Sequence, residues 1–348
     1  MAFARLRPVV GSSSLAPTRR FFATKSGIMA QWTHLIRFEA PDGNIYNGQP
    51  NFQDSPAEIT TLQGLTARII EGDIFGASSL TSKTVSVKKL LAPIQPSIYR
   101  CVGLNYRRHA EETKQSLPRN PILFIKPASS VQNPGDPIRV PAIATNNQVD
   151  YEVELAVVIG RPAKDVTKEE ALSYVGGGCT DYSILSLSTT TPRLTHSSSI
   201  LVPPATTGYT VCNDVSARKW QGATLSAGQW CFSKGFDTFA PLGPMLVSPS
   251  VITNPNNLRI GTRVNGVTLQ DSSTSDMIFD IPTLISFLSQ GTTLQPGDVI
   301  ITGTPEGVGF TRNPPIFLQD GDDCECFIEK IGVLRNNIVY EKKVESKL

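Results

Sequence analysis

"DYEVELAVVIG", residues 150 to 160, decides how the chain is read. Its second half, Leu155 to Ile159, is an unbroken apolar run of the kind a fully buried strand carries. Its first half sets Glu152 and Glu154 two residues apart, and residues i and i+2 of a strand share a face. Two carboxylates therefore stand side by side at the mouth of a hydrophobic strand. A solvated edge strand can carry such a pair with no function. The apolar run argues for burial, and two buried carboxylates repel each other unless a cation joins them. A hard divalent ion meets that need. Mg²⁺ or Mn²⁺ takes oxygen ligands and keeps positions open for substrate. Asp214, an acid inside the otherwise apolar "VCNDVSAR", is the candidate third ligand.

The chain has 348 residues and 40% hydrophobic content, enough for one large domain with a small one attached. Its 27 Gly, 26 Pro and low charged content of 18% favour many short strands over long helices. No apolar run reaches about 18 residues, so no spanning helix is expected. The net charge of +2 is unevenly placed. Arg5, Arg7, Arg19, Arg20 and Lys25 lie in the first 28 residues, which contain no acid; the rest has 27 basic against 30 acidic residues. That remainder has no basic stripe, which excludes nucleic acid as the expected partner. The Arg-rich, Ser-containing, acid-free leader has the composition of a mitochondrial transit peptide, with cleavage expected near Phe22 or Ala23. The alternative is a merely disordered tail; Met29 offers a start for a shorter, cytosolic form. Six scattered cysteines with no CxxC pair read as reduced core thiols, not as a zinc site.

Three parts are expected: a cleaved leader (1–28), a small β-rich segment (29–95) and a catalytic domain (96–340). "THLIRFEAPDGNIYNG" reads as a hairpin turning at "PDGN", and "RIGTRVNGVTLQ" as one turning at Asn265-Gly266. "DIPTLISFLSQ" reads as an amphipathic helix, and "TKEEALSYV" as a short one with Thr167 as N-cap. Residues 178–208, rich in Ser, Thr and Pro, have no period. They fall where a connection of about 2 to 6 residues is expected. They are read as an insertion, a poorly ordered surface loop that a retained intron or alternative exon would encode.

Six motifs then occur in order: "VGLNYRRHAEE", "DYEVELAVVIGRPA", "NDVSARKWQ", "SKGFDTFAPLGP", "STSDMIF" and "PGDVIITGTPEGVG". Together they resemble the fumarylacetoacetate hydrolase family over roughly residues 98 to 338. The leader, the β-rich segment and "NPPIFLQDGDDCECFIEKIG" are most similar to its mitochondrial branch, which contains oxaloacetate tautomerases. The resemblance implies an α+β, predominantly β fold, a mixed β-roll around a metal site, usually in a homodimer. It implies that Glu152, Glu154 and Asp214 ligate Mg²⁺ or Mn²⁺, which agrees with the reading from the residues alone.

His109 and Glu112 are three apart, one face of a helix, where a carboxylate can orient an imidazole and raise its basicity. The resemblance implies a catalytic pair on a lid. His34 and His196 match no motif. Arg218 and Gln221 follow Asp214 at helical spacing, and the resemblance makes both substrate contacts; a surface salt bridge is the alternative. Lys234, flanked by aromatics in "FSKGFDTF", is implied to lie in the site and stabilise an enolate. Thr304, in the glycine-rich "TGTPEGVG", offers a hydroxyl to a substrate carboxylate.

These parts predict an enzyme acting on 2-oxo acids through an enolate. Oxaloacetate keto–enol tautomerisation is the leading expectation. C–C bond hydrolysis of acylpyruvates or related 1,3-dicarbonyls is the alternative, with oxaloacetate decarboxylation beside it. A catalytically silent metal-binding scaffold or isoform stays open, because the insertion enters a few residues before Asp214.

Overall fold

The computed structural model describes residues 32–52, 59, 62–175 and 207–342. The leader and nearly all of the insertion lie outside these residues.

Strand Val153–Val158 is buried along its whole length and lies inside a 12-stranded mixed sheet. Antiparallel neighbours flank it on both sides, Tyr209–Asn213 on one and Val299–Ile301 on the other. Leu155 and Val157 face one core with Val211 and Ile300, and Ala156 and Val158 face a second core with Cys212 and Ile301. A strand sandwiched between two cores must be apolar at every position, which is why its sequence does not alternate. Each fully buried Val or Leu there stabilises the fold by roughly 1.5–3 kcal/mol.

The sheet continues in order from Val299–Ile301 to Ile98–Gly103, paired in parallel, and then to Ile122–Pro127 at the edge. In the other direction Tyr209–Asn213 pairs with Ala240–Val247, which pairs with His34–Glu39. The described part of the N-terminal segment is β-rich, as its sequence suggests. Its first strand is nevertheless hydrogen-bonded into the main sheet, with His34 opposite Val247. A five-stranded second sheet runs Val267–Ser273, Arg259–Val264, Asp323–Ile328, Gly332–Tyr340 and Ile138–Val140. Its first hairpin turns at Asn265 and Gly266, both at positive φ (51° and 78°), the two-residue geometry that Asn-Gly favours.

Helices are short. Ile281–Leu288 is capped by Asp280, whose side chain accepts from the Thr283 amide. Thr167 does sit before helix Lys168–Ala171, but its side chain caps nothing; its hydroxyl donates to Glu170 at 3.2 Å. On either side of the insertion the chain ends meet: the Thr207 hydroxyl donates to the Val175 carbonyl.

Because Val175 and Thr207 already touch, the fold is predicted to survive replacement of residues 176–206 by three glycines. Shortening a loop about tenfold relieves roughly 2 kcal/mol of closure entropy. Urea denaturation should show equal or greater stability and an unchanged slope; a lost unfolding transition would mean that the segment belongs to the core.

Candidate active site

The register of two strands builds the acidic centre. Val153 pairs with Asn213 and Glu154 with Cys212. Just past these pairs, the Asp214 amide donates to the Glu152 carbonyl at 2.8 Å. Glu152, Glu154 and Asp214 are each at most 5% exposed, and each offers one oxygen within 4.8 Å of the others. They line a cavity of about 280 Å³ together with His109, Arg218, Gln221, Lys234 and Thr304. Glu112 stands behind His109, its Oε1 2.6 Å from Nδ1. All nine residues expected from the sequence therefore gather at one cavity.

The protein supplies cations of its own. Arg218 reaches Asp150 at 2.8 Å and Glu152 at 2.6 Å. Lys234 reaches Glu152 and Asp214, both at 2.6 Å, and donates to the Ser216 hydroxyl at 2.7 Å. Lys126, fully buried, donates to Asp214 Oδ1 at 2.5 Å and to the carbonyls of Val215 and Phe239. Burial opposes charge on Glu152, but Arg218 and Lys234 outweigh it and hold that carboxyl below the usual range. Burial likewise opposes charge on Lys234, and Asp214 and Glu152 reverse the effect and raise its pKa.

Glu154 is different. Among the described residues no lysine or arginine lies within ion-pair distance of it; its Oε2 accepts the Gly303 amide at 2.6 Å. Gly303 is at φ +94°, and a Cβ there would come within 2.7 Å of Asn105, so this approach needs glycine. Burial pushes the Glu154 carboxyl well up, and the carboxylates of Asp214 and Glu152 push it further. When all four carboxylates (Asp150, Glu152, Glu154, Asp214) are ionised they face three cations (Lys126, Arg218, Lys234), leaving one buried negative charge unmatched. Three convergent oxygens with excess negative charge suit a hard divalent cation. Its addition would turn the local balance to +1, which favours an anionic substrate.

The helix Arg107–Glu112 carries His109 and is held at both ends. The Arg108 amide donates to Asp276 at 3.0 Å, and Glu112 accepts the Gly307 amide at 3.0 Å and the Thr311 hydroxyl at 3.2 Å. The Glu112 contact assigns the hydrogen of His109 to Nδ1, leaving Nε2 basic. Arg218 also gives Nη1–H to Gln221 Oε1 at 3.0 Å, which leaves the Gln221 NH₂ without an acceptor among the described residues. Apolar walls close the rest: Trp230 packs edge-on to Phe124, and Phe310 stacks under Arg218. A Cβ on Gly103 would sit 2.2 Å from Trp230, so the indole's position depends on that glycine.

Lys126, Asp150, Asp276 and Gln270 escaped the sequence reading. Lys126 did leave a signal, a lysine inside the apolar "ILFIKP", and Asp150 directly precedes the glutamate motif.

The family described as fumarylacetoacetate (FAA) hydrolase, C-terminal, matches residues 99–188 and 203–339. The chain belongs to the fumarylacetoacetate hydrolase family. It is 44% identical over 259 residues to a fumarylacetoacetate hydrolase domain-containing protein 2 homolog of Dictyostelium discoideum, covering 72% of this chain and 74% of the relative. It is 42% identical over 250 residues to the mitochondrial oxaloacetate tautomerase Fahd2a of Rattus norvegicus, covering 72% and 69%. Among solved structures it matches a 2-hydroxyhepta-2,4-diene-1,7-dioate isomerase from Mycobacterium marinum, with TM-score 0.68 and 36% identity over 89% of this chain and 100% of that one. A fumarylacetoacetate hydrolase from Exiguobacterium antarcticum matches with TM-score 0.64 and 32% identity over 89% and 100%. The protein is an enzyme of this family, and the predominantly β fold is the one its sequence implied.

The unmatched charge on Glu154 makes a prediction. Its pKa is raised above the ordinary 4.5, so its ionisation destabilises the metal-free fold. That part of the stability is fully present below 4.5 and is lost as pH rises through the higher folded value. In EDTA the wild type should therefore lose stability relative to Glu154→Gln as pH rises from about 4.5. Saturating Mg²⁺, at about 100 times its Kd, should restore about 2.7 kcal/mol to the wild type and little to the variant. Differential scanning fluorimetry across pH reads both effects; identical pH profiles in EDTA would refute the unmatched charge.

Proposed function

We propose that the protein is a divalent-metal-dependent oxaloacetate keto–enol tautomerase, acting with Mg²⁺ or Mn²⁺ held by Glu152, Glu154 and Asp214. One observation carries this reading. A buried triad with one unmatched negative charge shares its cavity with a histidine oriented by a carboxylate. The 42% identity to a relative named as an oxaloacetate tautomerase supports the choice of substrate.

A bound divalent cation supplies Lewis acidity, polarising the 2-oxo group and stabilising enolate character. The chain's own residues do the rest. Arg218 and Lys234 hold the carboxylates in a fixed array and offset most of their negative charge, so that an added divalent cation leaves the cavity floor positive toward a dicarboxylate. The Thr304 hydroxyl and the Gln221 NH₂ orient substrate oxygens. Toward the keto form His109 Nε2 takes the proton of the C2 hydroxyl and delivers it to C3; toward the enol the same nitrogen carries a proton from C3 to the C2 oxygen. Glu112 keeps the imidazole in the tautomer that permits this and stabilises the imidazolium formed. Trp230, Phe124 and Phe310 exclude water from the carbon that carries negative charge.

The same His109–Glu112 pair favours a second reading, C–C bond hydrolysis of an acylpyruvate with His109 activating water. In both readings loss of the pair removes about 10²- to 10⁴-fold in rate. The acid-free leader supports import into the mitochondrial matrix, as do relatives named mitochondrial.

The two reactions separate in one assay. With oxaloacetate and Mg²⁺, the enzyme should speed decay of the enol absorbance without forming pyruvate, and Glu112→Gln should slow it at least 100-fold. Cleavage of acetylpyruvate to acetate and pyruvate, with no effect on the enol, would overturn the tautomerase in favour of the hydrolase.

A further inference from the structure

Gln270 lies outside the cavity on strand Val267–Ser273 and is 1% exposed. Its Oε1 accepts from the Val153 amide at 3.1 Å and from the Thr262 hydroxyl at 2.8 Å. Its Nε2 donates to the Pro305 carbonyl and to Thr304 Oγ1, both at 2.9 Å. The two backbone partners fix which end of the amide is which. A peptide N–H only donates and a peptide carbonyl only accepts, so the side chain cannot be flipped without losing both bonds. Thr304 Oγ1 therefore receives a hydrogen from Gln270, and its own hydrogen must go to a different acceptor. Among the described residues no acceptor takes it, while Thr304 lines the cavity beside Glu154 and Lys234.

We propose that Gln270 is a positioning residue: it occupies one lone pair of the Thr304 hydroxyl and so aims the hydroxyl hydrogen at an acceptor oxygen of the bound 2-oxo acid. The proposal rests on the reading of this cavity as a 2-oxo acid site. It adds a preference: a ligand oxygen without a hydrogen, a carboxylate or keto oxygen, satisfies the Thr304 hydrogen, whereas a ligand hydroxyl donating to the remaining lone pair leaves that hydrogen with no acceptor among the described residues. Gln270 also acts on geometry. Val153 lies between Glu152 and Glu154, so one amide ties the carboxylate strand to the turn that carries Thr304 and Pro305. The gap in sequence from Gln270 to Val153 is 117 residues and to Thr304 is 34, so local structure alone does not set this alignment.

The test is calorimetric binding of oxalate, an unreactive 2-oxo acid mimic, to the full chain saturated with Mg²⁺. Thr304→Val should weaken oxalate about 10- to 100-fold, the loss of one hydrogen bond to a charged group, and Thr304→Ser should recover most of it. Gln270→Glu puts an acceptor where Nε2 stood, drawing the Thr304 hydrogen away from the ligand, and should weaken oxalate to a similar degree. In the Thr304→Val background Gln270→Glu should have no further effect, because there is no hydroxyl left to orient. Gln270→Met, which removes the donor and keeps the volume, carries the same test if Gln270→Glu does not fold. Because it also removes the acceptor of the Val153 amide, its loss should shrink in the Thr304→Val background, not vanish. A Gln270 effect of equal size with and without the hydroxyl would overturn the proposal, since the residue would then act only through the fold. So would wild-type affinity in Gln270→Glu. If oxalate binds and Thr304→Val does not weaken it, the proposal falls while the 2-oxo acid site stands. If oxalate does not bind the wild type, both fall.

Discussion

The carboxylate of Glu154 is the constraint around which the rest is arranged. It is buried, it stands beside two other carboxylates, and among the described residues it has a backbone amide but no lysine or arginine as partner. Leaving a charge buried and unpaired costs several kcal/mol. Without a cation the Glu154 carboxyl is driven to keep its proton, by burial and by its two neighbours; a divalent cation lets it ionise. Lys126, Arg218 and Lys234 bring the cluster to within one charge of neutrality, so a divalent cation leaves an excess positive charge, not a balanced pair. That excess suits the anionic substrate and the enolate of the proposed reaction.

Holding this cluster is the task of the strands. Side-by-side pairing of Val153–Val158 with Tyr209–Asn213 brings Asp214 against Glu152 and Glu154, and the apolar halves of both strands lock that register from two cores. A slip of one residue would turn Glu154 from the cavity into a core. The glycine-rich turn closes the site from above. It gives the Gly303 amide to Glu154, the Gly307 amide to Glu112 and the Gly309 and Phe310 amides to Asp150. One loop thereby addresses the acidic triad, the candidate base and the Arg218 anchor at once.

The parts of this arrangement that repeat at short spacing were legible in the sequence. Glu152 and Glu154 announce a shared strand face, His109 and Glu112 a shared helix face, and Asn265-Gly266 a two-residue turn. Each follows from the geometry of a single element. Ordered motifs supplied the family, and with it the gathering of residues that are far apart in the chain. What the sequence did not disclose are partnerships across the fold. Lys126 meets Asp214 across 88 residues, and Arg218 meets Asp150 across 68. A strand pattern shows that His34–Glu39 is a strand but not that Ala240–Val247 is its neighbour, because hydrophobic alternation carries no address. Thr167 occupies the N-cap position its sequence suggests, but its hydroxyl found the Glu170 carboxylate in place of a backbone amide.

The central claim is that a divalent cation completes the cluster and meets the substrate there. The most direct test is electron paramagnetic resonance of Mn²⁺ titrated into the EDTA-stripped full chain, with and without ¹⁷O-labelled oxalate. The account predicts one bound Mn²⁺ per chain, lost in Glu154→Gln, whose lines broaden when labelled oxalate replaces unlabelled. Tight Mn²⁺ binding with no ¹⁷O broadening would place the acid away from the cation and contradict the account.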